Sequence, residues 1–238
     1  MQERYLGDVH DYYKFLFLKF LSINLKKKIG LNWYLVDPKE ISLQEPKKND
    51  GEKRAYLFKK EKMIDQKILE ECITLNNKKK RKILRFSKTS HLKEYVNFFN
   101  KKLSIYNRSE WIDSSLKFFQ KQEIVFLDPD NGFKQKQNKN KRSIKYVFPN
   151  EIILYIKKNK TVIFTQFQSF NKDNLTFLSN IRNQLLKSNI EINCPIIRNR
   201  TGPNTFFITI AKDSMKNRIS DIYNEYSRFN LNVELIRL

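Results

Sequence analysis

Two stretches of this chain carry residues whose types and spacing could do chemistry. The first is Asp128-Pro129-Asp130-Asn131-Gly132, directly after the apolar run Ile124–Leu127. A short run of β-branched and aromatic residues reads as a strand buried on both faces. Its exit therefore puts two carboxylates and an amide at the carboxyl end of a strand, the edge where open α/β sheets bind ligands. Pro129 removes a backbone donor and restrains the turn, and Gly132 permits a positive φ. The second stretch is Gly7-x-x-x-Asp11-x-x-Lys14, with Asp8 beside the glycine. Asp8 suits the N-cap of a helix. Asp8, Asp11 and Lys14 then recur at i, i+3 and i+6, on one side of its first turns.

Two more aspartates extend the pattern. Asp37-Pro38 closes the apolar segment 32–36 as Asp128-Pro129 closes its own, and Asp50-Gly51 sits in the polar stretch 39–53. If the two strands are parallel neighbours, Asp37 and Asp128 leave the sheet at the same edge. A carboxylate there accepts a hydrogen bond from a substrate amine. Two or three together could hold Mg²⁺ through oxygen ligands.

The elements that must position these groups follow from periodicity. Helices are predicted at 8–27, 62–75, 90–102, 111–122, 146–158, 173–188 and 214–228. Gly30 is expected to stop the first of them. Strands are predicted at 32–36, 83–86, 104–106, 124–127, 161–167, 190–197, 205–211 and 232–236. Strands alternating with helices imply one α/β domain over 1–238, doubly wound around a mostly parallel sheet. The last strands lack a helix between them and end the sheet in an antiparallel hairpin. Segments 39–53 and 134–145 are polar and read as mobile loops, the second being either a phosphate-contacting flap or a charged insertion.

The 238 residues carry 47 Lys and Arg against 25 Asp and Glu, a net charge of +22. That balance favours a polyanionic partner, RNA or DNA first and an anionic membrane surface second. Cys72 and Cys194 are far apart, and with His10 and His91 they form no zinc motif. A reducing, cytoplasmic setting is expected. No apolar run reaches the ~18 residues of a membrane span, and the acids and Gly7 before the first apolar stretch are unlike a signal peptide.

The order of elements resembles class I S-adenosylmethionine-dependent methyltransferases. In those that act on amino groups, the fourth strand ends in (Asp/Asn/Ser)-Pro-Pro-aromatic, and Asp128-Pro129 stands at the matching place. Gly7-x-x-x-Asp11-x-x-Lys14 is similar to the stretch opening the large-subunit ribosomal RNA adenine-N6 methyltransferases. The resemblance implies Gly7, Asp8, Asp11 and Lys14, with Asp37, Asp50 and Gly51, around S-adenosylmethionine. It implies Asp128, with Pro129, Asp130 and Asn131, at the target amine, and Phe133 or Phe167 stacked on the base. The Gly-x-Gly turn after the first strand is absent, Val36-Asp37-Pro38-Lys39 standing there instead. Three functions are therefore weighed: methylation of an exocyclic base amine, non-catalytic nucleic-acid binding on the same fold, and a Mg-dependent nuclease or phosphatase built on clustered Asp residues.

Overall fold

The computed structural model describes residues 1–47, 52–58, 64–137, 140–168, 171 and 173–238. The expectations for Asp50 and Gly51 lie outside the described residues. Strands β1 (Ile29–Asn32), β2 (Val96–Phe99), β3 (Ile124–Leu127), β4 (Thr161–Phe167), β5 (Ile196–Asn199), β6 (Thr205–Ile210) and β7 (Val233–Ile236) form one sheet in the order β2-β1-β3-β4-β6-β5-β7. The first four are parallel. β6 runs antiparallel to both β4 and β5, and β7 antiparallel to β5. This is a Rossmann-like α/β fold with a mixed sheet.

β3 lies near the middle, and its pleat sends alternate side chains to opposite faces. Ile124 and Phe126 join one apolar cluster with helices α1 (Val9–Leu25), α3 (Gln66–Thr74), α4 (Ile83–Thr89) and α8 (Lys216–Phe229). Val125 and Leu127 join another with α5 (Arg108–Phe118), α6 (Pro149–Lys157) and α7 (Asn174–Leu186). All four β3 side chains are buried, each contributing about 1.5–3 kcal/mol relative to exposure. The central strand thus anchors both cores, and its exit is held rigidly where the site forms.

α1 begins as its sequence requires. Asp8 is the N-cap, its side chain accepting from His10 N and Asp11 N. Just before it Gly7 takes φ +81°, and a Cβ there would lie 2.8 Å from that of Leu75. Arg54 and Tyr56 donate to the Gly7 carbonyl and fasten the turn.

Several expectations are corrected. Lys26, in the left-handed conformation, ends α1. Gly30 lies inside β1, where a Cβ would come within 2.5 Å of Phe119. The first strand is therefore 29–32. Residues 83–86, expected as a strand, open the helix α4, and 90–102, expected as a helix, contains the strand β2. Leu92, Tyr95, Val96 and Phe99 have helical spacing, but pairing with β1 overrides it. No strand forms at 104–106. Residues 141–145 are an ordered 3-10 turn burying Ser143 and Ile144. A short helix, α2 (Pro38–Ile41), follows Asp37.

Candidate functional site

The exits of β3 and β4, the start of α1 and the β5–β6 hairpin surround a cleft of about 710 Å³. That is within the range of small-molecule sites. At its floor the Lys14 ammonium bridges two carboxylates, 2.5 Å from Asp11 Oδ1 and 2.5 Å from Asp128 Oδ2. Asp128 Oδ1 accepts from Thr165 Oγ1 at 3.0 Å, and Asp11 Oδ2 from Gly7 N at 2.8 Å. Asp128 N donates to Asn32 O, so the neighbouring strand also fixes the β3 exit. All three charged residues are buried.

Burial works against every charge here. It pulls the Lys14 ammonium down, but Asp11 and Asp128 outweigh it and hold its pKa above the ordinary lysine value. Burial raises Asp128, Lys14 opposing and Asp11 adding to the rise. Asp8 stands well above the carboxylate range, first by burial and then by the negative Asp11. One ammonium among three carboxylates leaves the cluster short of positive charge, so it favours a proton or a hydrogen-bond donor.

His10, one helix residue beyond Val9, closes one side of the cleft. Its Nδ1 lies 2.7 Å from Thr205 Oγ1 and 3.2 Å from Thr201 Oγ1. Its ring meets Phe167 edge-on at 5.3 Å. Burial lowers its pKa from 6.5 to about 4; Asp11 resists, and Lys14 and Lys53 add to the fall. The imidazole is therefore neutral at pH 7. A hydroxyl can donate or accept, so Thr205 serves either tautomer and leaves Nε2 for a ligand.

The expected residues separate clearly. Gly7, Asp8, Asp11, Lys14 and Asp128 converge. Pro129, Asp130 and Asn131 also line the cleft. Asp130 lies 3.0 Å from the Met1 amino group and accepts from Gln2. Phe133 does not reach the cleft: it is buried against Phe164 in the core, its N–H donating to Gln166 Oε1 at 2.8 Å. Gly132, at φ +83°, is needed for that contact, since a Cβ there would overlap the Gln166 amide. Asp37 is not drawn in either. It caps α2 and pairs with Lys102 at 3.2 Å, and the Lys39 N–H foremost lowers its pKa. Between β1 and Asp37 the chain passes through Tyr34 at φ +47°, and Leu35 O accepts from Leu103 N beside the β2 exit, so the matching Asp-Pro pairs do not share an edge position.

Sequence reasoning missed His10, Thr165, Gln166, Thr205 and the cleft lysines Lys53 and Lys145. His10 had one signal, its place one turn before Lys14 beside two aspartates. The threonines had none, because only the pairing of β4 with β6 brings them there.

The implied cofactor can be weighed against the residues after β1. Trp33 and Tyr34 are fully buried there. The Lys14 ammonium sits 4.9 Å over the Trp33 ring, and Leu103 N donates to Leu35 O across the β1 and β2 exits. Trp33 and Tyr34, each packed into one of the two cores, leave no glycine turn where such folds bring the backbone close to a nucleoside. Nor is the bridge shaped for a divalent ion: the Lys14 ammonium stands between the two carboxylates. Among the described residues no group of three or more His, Cys, Asp or Glu is arranged to hold a metal. No helix among them is long and apolar enough to cross a membrane. Compared with family models, curated proteins and solved structures, the chain matches none.

Proposed function

We propose that the cleft is a nucleobase pocket, and that the chain is a nucleic-acid-binding protein on a doubly wound, methyltransferase-like sheet. The observation that carries this reading is Asp128. It is buried at the carboxyl edge of the central strand, oriented by Lys14 and Thr165. Those two donors use part of a carboxylate's capacity of about four lone-pair sites, so an exocyclic amine can still donate to it. Phe167 offers a ring for the base to pack against. His10 Nε2 supplies a second, neutral polar contact, and the exposed Lys53 gives the rim positive charge for a phosphate, Lys145 being paired with Glu45 at 2.6 Å. Neutral polar groups and an aromatic wall are what an extruded or single-stranded base requires.

The test compares oligonucleotides that carry adenosine or inosine at one unpaired position. A hydrogen bond to a charged acceptor contributes about 1.5–3 kcal/mol, so adenosine should bind roughly 10- to 100-fold tighter. Asp128→Ala should remove the preference and Asp128→Asn should keep part of it, because the amide oxygen still accepts. Equal binding of the two bases by the unaltered protein would sink the reading.

Methylation of the held amine is the second reading. It is favoured by the convergence of Gly7, Asp11, Lys14 and Asp128, the residues that the resemblance assigns to cofactor and target. Saturable binding of S-adenosylmethionine, measured by calorimetry, would support it over binding alone.

A further inference from the structure

Within three residues of the strand ends, lysines are unevenly divided between the two edges of the sheet. Consider β2, β1, β3, β4 and β6, five adjacent strands. At the edge opposite the cleft, the three residues flanking each strand end include eight lysines against Glu94, Glu123 and Asp213. The same windows at the cleft edge hold two lysines and two aspartates. Every one of the five strands contributes at least one lysine to the basic edge: Lys93, Lys28, Lys121, Lys160 and Lys212 in sheet order.

Few of these charges are answered. Glu123 alone receives both Lys27 and Lys212. The Lys160 ammonium donates to the carbonyl of Gln120 at 2.7 Å, and Lys28 to that of Lys93 at 2.8 Å. Some lysine is expected where α1, α5 and α6 end, since helix C-termini favour cations. A lysine at each of five strand ends exceeds that need.

We infer that this edge is a second contact surface, separate from the cleft, that binds the phosphodiester backbone of a nucleic acid. Strand ends recur about every 4.8 Å, so the five-strand row spans roughly 19 Å. Phosphates along one strand of a duplex rise about 3.4 Å each along its axis and wind around it, so a row of this length meets a few of them on each strand of the near face. Such a row of lysines can contact the phosphates on the near face, and such contacts position a partner without reading its sequence. The inference does not rest on the base pocket, because it uses none of the cleft residues.

The experiment measures affinity for a mixed-sequence DNA duplex against salt concentration. Lys28→Gln, Lys93→Gln, Lys121→Gln and Lys158→Gln are combined in one variant; all four residues are exposed, so the fold should hold, and a circular-dichroism melt checks it. The logarithmic salt slope should become shallower by about 3–4, at roughly 0.9 per phosphate contact. A control removes the same charge at the other edge and its loops, through Lys39→Gln, Lys101→Gln, Lys102→Gln and Lys136→Gln. It should change the slope by less than one. Equal changes in both variants would mean that only net charge matters and would overturn the surface. So would an unchanged slope in the first variant accompanied by lost binding to phosphatidylserine vesicles. The half-exposed Ile23 and Ile156 near this rim would then be membrane contacts. Asp128→Ala should leave the slope as it is, which keeps failure of the pocket reading distinct from failure of this one.

Discussion

Replacing His10 with Asn should flatten one part of the pH dependence of stability. The native imidazole has its pKa lowered from 6.5 to about 4, chiefly by burial, while in the unfolded chain it titrates near ~6.5. Between those values the unfolded state binds the proton and the native state does not. Stability therefore falls as pH drops from 6.5 to about 4 and levels off below. One pKa unit is about 1.36 kcal/mol, so the whole difference corresponds to ~3.4 kcal/mol. The ring keeps some exposure to the cleft, and solvent screening reduces this to about 2–3 kcal/mol. Asn keeps a polar group near Thr205 and does not titrate. Urea unfolding of both proteins from pH 7.5 to 4 should show the wild type losing 2–3 kcal/mol more than His10→Asn, at roughly that magnitude. Asp8, whose raised pKa acts in the opposite sense, is common to both and cancels. Histidine NMR provides a direct check, since the chain has two His and the variant removes one signal. Parallel stability curves, or a His10 midpoint near 6.5, would refute the buried, neutral imidazole on which the second base contact depends.

Two further outcomes concern the cleft floor. Lys14→Met strands Asp11 and Asp128 without their shared cation and should cost on the order of 3–5 kcal/mol at pH 8. The loss should shrink as pH falls, because Asp128, already raised by burial, takes up a proton instead, and a constant loss across pH would mean that the bridge is not electrostatic. Gly132→Ala should destabilise by about 1–3 kcal/mol, read as a lower urea midpoint with unchanged slope, because the new methyl meets the Gln166 amide at a positive φ. Unaltered stability there would mean that the turn is not held by Gln166.

The sequence by itself determined the parts that depend on neighbours along the chain. The Ile124–Leu127 strand, its Asp128-Pro129 exit, the Asp8 cap and the one-sided Asp8, Asp11, Lys14 stripe all follow from local periodicity and turn chemistry, and the structure keeps them. So does the antiparallel ending. Tertiary structure decided what periodicity cannot. Apolar spacing reports that residues are buried but not which partner buries them, so 83–102 could exchange helix and strand once β2 paired with β1. Phe133 carries the same side chain whether it stacks on a ligand or fills the core; Gln166 and Phe164, more than thirty positions away, settled that. Lys14 meets Asp128 across 114 residues, and His10 meets Thr205 across 195. Such contacts arise only when the strand order of the sheet closes the cleft, and no local rule of spacing encodes that order.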